Sequence, residues 1–342
     1  MRRNGPSAAK SSGMRAVLAA LTMPAVAAAA MTGLLAVTHH AKLPSLSAST
    51  SSHGSRPAAS AAPCVRGISR RPFLGIAINP AIAAHVRSFQ RVTSTRVQLI
   101  EFYNPFTRPF QRWEAQQVVA LGDVPLVQLN PRHVSLARIA AGRYDGMIRR
   151  YADSVRSFRC GVVISFGHEM NGWWYTWGEP WTSPATFIAA WRHIHDIFVT
   201  EGATNVIWSW DPSHQYRYRG SRASRWYPGD AYVDWVGIDG YLRRGQTVAQ
   251  VFSTQLRDIR RVTSKPVYFA ETGVAGGPDQ GWQIAALFSA LKRYHLTGLV
   301  WFDLNRKQPW RLEGRPAGLV AYRKAAGTLR APASRTAGRR GV

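Results

Sequence analysis

Acidic side chains are scarce in this 342-residue chain: 18 Asp and Glu stand against 44 Lys and Arg, and no acid precedes Glu101. A formal charge of +26 first suggests a nucleic-acid binder. Its distribution argues otherwise. Residues 1–72 hold nine basic residues and no acid, and residues 305–342 carry a net +9, which leaves +8 for the whole of 73–304. The excess therefore sits in the tails, and nothing between them resembles a nucleic-acid module. No nucleic-acid partner is expected. The basic tails suit solubility, or association with an anionic cell envelope.

Cysteine is equally sparse. Only Cys64 and Cys160 are present, neither in a metal-ligand pattern. In an exported chain the expectation is a disulfide between them, with two buried thiols as the alternative. The zinc-protease pattern is missing as well, because H-E-M-N-G at 168–172 has Gly172 where a second His is required. There is no G-x-S-x-G, no Walker loop and no Rossmann fingerprint. The G-V-A-G-G at 273–277 is a bare glycine cluster and weak evidence for phosphate. No metal or cofactor is expected.

Only one apolar run is long. Ala16–Val37 follows Arg2, Arg3, Lys10 and Arg15, in the order of a secretory signal. It is also long enough for a membrane anchor. Residues 1–43 are thus read as signal peptide or anchor, and either reading places the rest outside the cytoplasm, secreted or held at the outer face. Residues 44–71, rich in Ser, Ala and Pro, form a linker without periodicity.

What the chain does have is a beat. Short β-rich runs occur at 73–78, 95–102, 123–129, 160–166, 204–210, 233–239, 266–271 and 298–303. Several are almost continuously apolar, as strands buried on both faces of a parallel sheet must be. Between them lie stretches of helical spacing, such as 144–158, 184–200, 247–263 and 280–294. Strand and helix alternating eight times predict an α/β fold, a (β/α)8 TIM barrel over 72–328, followed by a basic tail at 329–342. The fifth helix is the weakest expectation, because 211–232 is polar, aromatic and loop-like. Both cysteines would fall on the N-terminal face, where a disulfide pins the entry segment.

Chemistry in such barrels is done at the C-terminal strand ends. Those ends carry Glu101, Asn130, His168, Glu169, Asp211, His214, Asp239, Tyr241, Glu271 and Asp303. Glu169 after the fourth strand and Glu271 at the seventh can divide glycoside hydrolysis between a proton donor and a nucleophile, if about 5–5.5 Å apart. A structural ion pair is the usual fate of such a Glu. The aromatic setting decides otherwise: Trp173, Trp174, Trp177 and Trp181 follow Glu169 within twelve residues. An indole face stacks on a sugar ring, and apolar neighbours raise the pKa of an acid. Trp210 and Trp301, at other strand ends, would complete the cleft, whereas Trp113, Trp191, Trp208 and Trp282 are read as core or surface packing.

Three stretches, G-H-E-M-N-G-W-W-Y-T-W-G (167–178), W-Y-P-G-D-A-Y-V-D-W-V-G-I-D-G-Y (226–241) and K-P-V-Y-F-A-E-T-G (265–273), resemble glycoside hydrolase family 26. With F-I-A-A-W-R-H-I and W-S-W-D-P they span roughly 72–327. The resemblance implies a retaining endo-β-glycanase, with Glu169 as acid/base and Glu271 as nucleophile. It implies that His168 borders the acid and contacts the sugar, that Tyr241 holds the nucleophile, and that Trp174 stacks on substrate. Asn171 and Asp239 fall in matching motifs, with catalytic or loop-forming roles both open. The polysaccharide expected is β-1,4-mannan, with β-1,3-1,4-glucan or β-1,3-xylan as alternatives, acted on by a monomer. A carbohydrate-binding barrel without catalysis is the rival class.

Overall fold

Each of the eight apolar runs becomes a strand. They are β1 (Phe73–Ala77), β2 (Leu99–Pro105), β3 (Val124–Asn130), β4 (Val162–Phe166), β5 (Val206–Trp210), β6 (Trp235–Leu242), β7 (Val267–Val274) and β8 (Gly298–Phe302). The computed structural model describes residue 68 and residues 72–214, 222–306 and 308–329. The signal or anchor segment, almost all of the linker, Cys64 and all of the tail but Leu329 lie outside the described residues.

All neighbouring strands are parallel, and β1 pairs with β8, so the barrel closes in sequence order. The helices are α1 (Ala83–Thr93), α2 (Arg112–Val119), α3 (Leu136–Ala140), α4 (Asp145–Phe158), α5 (Pro184–Thr200), α6 (Val248–Ile259), α7 (Gln280–Arg293) and α8 (Pro316–Thr328). The third repeat thus has two helices. Between β5 and β6 the described residues hold only a 3-10 turn, Ala223–Trp226, as the lack of apolar periodicity there foretells. Helix starts follow local chemistry. Pro184 fills the first position of α5 while the Ser183 side chain accepts the Thr186 N–H, and Thr247 with Gln250 forms a capping box on α6.

Side-chain parity sorts the strands into two cores. Residues such as Ile100, Phe102, Val127, Phe166, Trp210 and Trp301 point outward and pack under the helices. Their alternates point inward. The lower interior is aromatic and aliphatic: Phe73, Leu99, Val124, Leu126, Val163, Trp235, Tyr268 and Val300. Phe73 lies 5.8 Å from Trp235 and 5.5 Å from Tyr268, ring centre to ring centre. Gly298 makes that plug possible, since a Cβ there would come within 2.4 Å of the Phe73 ring. Above the plug the same inward positions carry Glu101, Gln128, Ser209 and Asp239, all with no exposed surface. Cys160 is disulfide-bonded; its expected partner, Cys64, is not among the described residues. Within those residues no helix is long and apolar enough to cross a membrane.

Candidate active site

The site is assembled from the tops of β2, β3, β4, β6 and β7. On β7 strict alternation would turn Glu271 outward, because Tyr268 and Ala270 already face the interior. One extra residue reverses this. Gly237 pairs with Tyr268 but Asp239 with Glu271, and on the other side Leu299 pairs with Phe269 but Trp301 with Thr272. Both neighbours therefore see a β-bulge at the same place, and bulges re-aim side chains in this way. The bulge brings the Glu271 carboxylate into the barrel mouth, almost fully buried.

Two phenols hold it there. Tyr103 donates to Oε1 at 2.7 Å and Tyr241 to Oε2 at 2.5 Å. Burial and the neighbouring carboxylates push both phenols well above their usual pKa of 10, so they stay protonated donors. His168 Nε2 lies 3.9 Å from Oε1. Burial lowers the pKa of this imidazole from 6.5, so the ring is neutral. Its Nδ1 meets Asn130 Oδ1 at 2.9 Å; that carbonyl accepts, which places the proton on Nδ1 and leaves a lone pair on Nε2.

Glu169 is built differently. It sits past the end of β4 with φ of +54°, the left-handed region that a non-glycine residue seldom occupies. Such a residue costs on the order of 1–3 kcal/mol, and the surroundings must hold it. Its N–H donates to Asp211 O at 2.7 Å. Asn171 closes the same loop, donating to Ser213 O and accepting from Ser213 N–H, each at 2.8 Å. Trp174 then donates its indole N–H to Glu169 Oε2 at 2.5 Å. The indole folds back so tightly that a Cβ on Gly172 would stand 2.4 Å from it; the glycine that breaks the zinc pattern is what this contact requires.

Desolvation is the largest influence on Glu169, followed by the charge of Glu271. Together they raise its carboxyl to about 8, against the opposing hydrogen bonds of Trp174 and Ser213. Asp211, held by Ser209 Oγ at 2.5 Å and Gln128 Nε2 at 3.3 Å, is raised by burial to about 6. Asp239 is raised well above 3.8 by burial first and then by Glu271. His214 is lowered to about 4 by burial and packs on Phe252 while meeting Asp239 O. His168, Asp239 and Glu271 offer ligand atoms within 4.8 Å of one another. Asn130 and the two phenols already occupy the His168 Nδ1 and both Glu271 oxygens, an arrangement suited to aiming a carboxylate.

The structure thus gathers Glu169, Glu271, His168, Tyr241, Trp174 and Asp239. It corrects three expected sugar contacts. Trp177, Trp210 and Trp301 are at most 1% exposed and cannot stack on a sugar. Trp177 lies flat on Tyr175 at 4.2 Å and donates to His168 O at 2.8 Å, so it braces the site from behind. Trp210 and Trp301 occupy outward strand positions: Trp210 meets Tyr227 at 5.1 Å, and Trp301 meets Tyr322 at 5.4 Å. Trp173, whose ring lies 6.1 Å from that of Trp174, is 55% exposed, and Trp181 is 69% exposed. Tyr103 was missed because the expected second strand stopped at Phe102. Glu101 and period two would have placed Tyr103 on the same face.

Residues 96–307 match Glycosyl hydrolase family 26, and the chain belongs to that family. It is similar to Endoglucanase H of Acetivibrio thermocellus, 31% identical over 259 residues, which is 71% of this chain and 29% of that protein. It is also similar to Mannan endo-1,4-beta-mannosidase A and B of Caldalkalibacillus mannanilyticus, 29% identical over 187 residues, 50% of this chain and 35% of that one. The chain spans about a third of the length of these two relatives. Among solved structures, a modular endo-β-1,4-mannanase from Cellulomonas fimi aligns with a TM-score of 0.60 at 18% identity, over 75% of this chain and 71% of that one. A family 26 β-mannanase from Bacteroides ovatus aligns at 0.56 and 17%, over 76% and 90%. At such identities these two structures establish the shared barrel.

Proposed function

We propose that this barrel is a retaining endo-β-glycanase of family 26. The observation that carries this reading is the asymmetry of the two glutamates: Glu169 is raised to about 8 by burial, while Glu271 is clasped by two phenols. Glu169 holds a proton at neutral pH and donates it to the glycosidic oxygen as the C1–O bond breaks. Glu271 attacks C1 and forms an ester. Water then enters, gives a proton to the now ionised Glu169, and its oxygen displaces the ester from C1, which restores both carboxyls. Exposed Trp173 offers an indole face to a sugar, whereas His168, almost fully buried, faces the Glu271 carboxylate.

The substrate proposed is β-1,4-mannan, named in the activity of several relatives and of the Cellulomonas fimi structure, the Bacteroides ovatus one being named a β-mannanase. A second reading, a β-glucan, is favoured by Endoglucanase H, which aligns over more of this chain. Export is proposed with it: the basic-then-apolar order of residues 1–37 and the bonded Cys160 both suit an oxidising compartment. The test is to incubate the purified protein with galactomannan, glucomannan, mixed-linkage β-glucan and β-1,3-xylan and to measure reducing ends. Release from the mannans supports the first reading, and release from the β-glucan alone the second. If no polysaccharide is cut by the folded protein, the enzymatic reading falls.

A further inference from the structure

Glu101 is a fully buried acid below the barrel mouth and has no part in the steps above. It projects inward from β2, two residues before Tyr103, and has no exposed surface. Both its oxygens are buried, and among the described residues neither has a well-formed hydrogen bond, the Gln128 amide acting on them weakly. After burial itself, the group that acts most strongly on it is another acceptor, the Glu271 carboxylate, by charge and by a side-chain hydrogen bond. Two carboxylates can lie in such contact only if one carries a proton, since otherwise two buried like charges repel with nothing to offset them. Tyr103 and Tyr241 already fill the other donor positions on Glu271.

We propose that Glu101 is a positioning residue, protonated at neutral pH, which donates a third hydrogen bond to Glu271 from beneath. This rests on Glu271 being the nucleophile. The groups facing Glu101 all favour the neutral form or are themselves neutral. Glu271 on β7 and Asp211 above β5 act on it by charge, Asp239 on β6 and the Tyr103 and Tyr268 phenols share its surroundings, and no cation is among them. The Gln128 amide from β3 opposes the effect, as the weakest of the influences. Burial is the strongest, and it too favours the uncharged acid.

The arrangement has a consequence for the reaction. Glu271 must be ionised to attack, yet it sits in a dry pocket with no cation against it. Three neutral donors, two phenols and one carboxylic acid, spread its charge without neutralising it. When Glu271 forms the ester its charge is consumed, and the Glu101 proton stays on Glu101. The donor is therefore neutral in both halves of the cycle and never needs to exchange with water.

The test compares Glu101→Gln with Glu101→Leu. The amide keeps a neutral N–H donor at the same place, whereas leucine fills the space and donates nothing. On whichever glycan the wild type cuts, Glu101→Leu is expected to lower kcat about 10- to 100-fold, the loss of one hydrogen bond to a charged group. KM should change less than about threefold. Glu101→Gln should lose less than about tenfold in kcat. Infrared difference spectra at pH 7 should show a protonated-carboxyl carbonyl band in the wild type that both variants lack. The proposal is overturned if that band is unchanged, because Glu101 is then ionised. It is also overturned if the two variants are equally impaired, since shape and not donation would then matter, or if Glu101→Leu keeps wild-type kcat. Should leucine prevent folding, the Gln variant and the band still decide. Should the wild type cut nothing, the enzymatic reading falls while the band still reports whether Glu101 carries the proton.

Discussion

The loop after β4 and the bulge in β7 each present one glutamate to the same cleft, and they treat it in opposite ways. The loop holds Glu169 in a left-handed conformation, gives it an indole N–H, and otherwise strips water from it, so the neutral acid is favoured. The bulge turns Glu271 out of the alternation of its strand and clasps each oxygen with a phenol. In the proposed mechanism one residue type thereby gains two chemistries from its surroundings alone. A loop can be tuned by exchanging the residues that fold over it. A bulge is fixed by both neighbouring strands and tolerates little.

Removing each carboxyl should separate the two roles most sharply. Glu271→Ala is expected to lose roughly three orders of magnitude or more in kcat, because no ester can form. Azide added to that variant should restore turnover with an inverted product, and restoration without inversion would break the assignment. Glu169→Gln should lose roughly 10²–10⁴ in kcat/KM on unactivated polysaccharide. The alkaline limb of the wild-type profile, expected near pH 8, should vanish with it.

The same substitution carries a stability signature of known sign. The folded Glu169 carboxyl titrates at about 8 against an ordinary value of 4.5. Between those pH values the native state keeps a proton that the unfolded chain has released, so this position lowers stability as pH rises through that window. Glu169→Gln should therefore melt higher than wild type at pH 7, and the difference should shrink toward pH 4. Calorimetry across that range checks it; equal melting at pH 7 would mean that Glu169 is already ionised there.

Smaller effects come from the donors. Tyr241→Phe removes one hydrogen bond from the charged Glu271, and kcat should fall about 10- to 100-fold with the fold intact. Trp174→Phe removes the donor that holds Glu169 down, so the alkaline limb should move to higher pH by a fraction of a unit to about one unit. A shift to lower pH would show that the indole acts mainly by excluding water.

How much of this was legible in the sequence depends on which physical rule is asked. The barrel was, because strands buried on both faces need nearly continuous apolar runs, and eight such runs are spaced by helical stretches. The proposed acid was, because Glu169 stands amid tryptophans. Side-chain parity was legible but went unused: counting from Ile207 on β5 or Val300 on β8 turns Trp210 and Trp301 outward under the helices. The bulge was not legible. Nothing in P-V-Y-F-A-E-T-G announces an extra residue, and it is set by pairing with β6 and β8, strands distant in sequence. Tyr103 escaped for a simpler reason, an edge set three residues short, where strand boundaries follow pairing more than composition.

The measurement that tests the central claim most directly is the configuration of the first product. Proton NMR of polysaccharide digestion within the first minutes reads the anomer before mutarotation blurs it. Two glutamates working as acid/base and nucleophile predict that the β-anomer appears first and the α-anomer grows in later. If the α-anomer appears first, water attacks the sugar directly, and Glu271 is not the nucleophile that its two phenols and its bulge have been taken to serve.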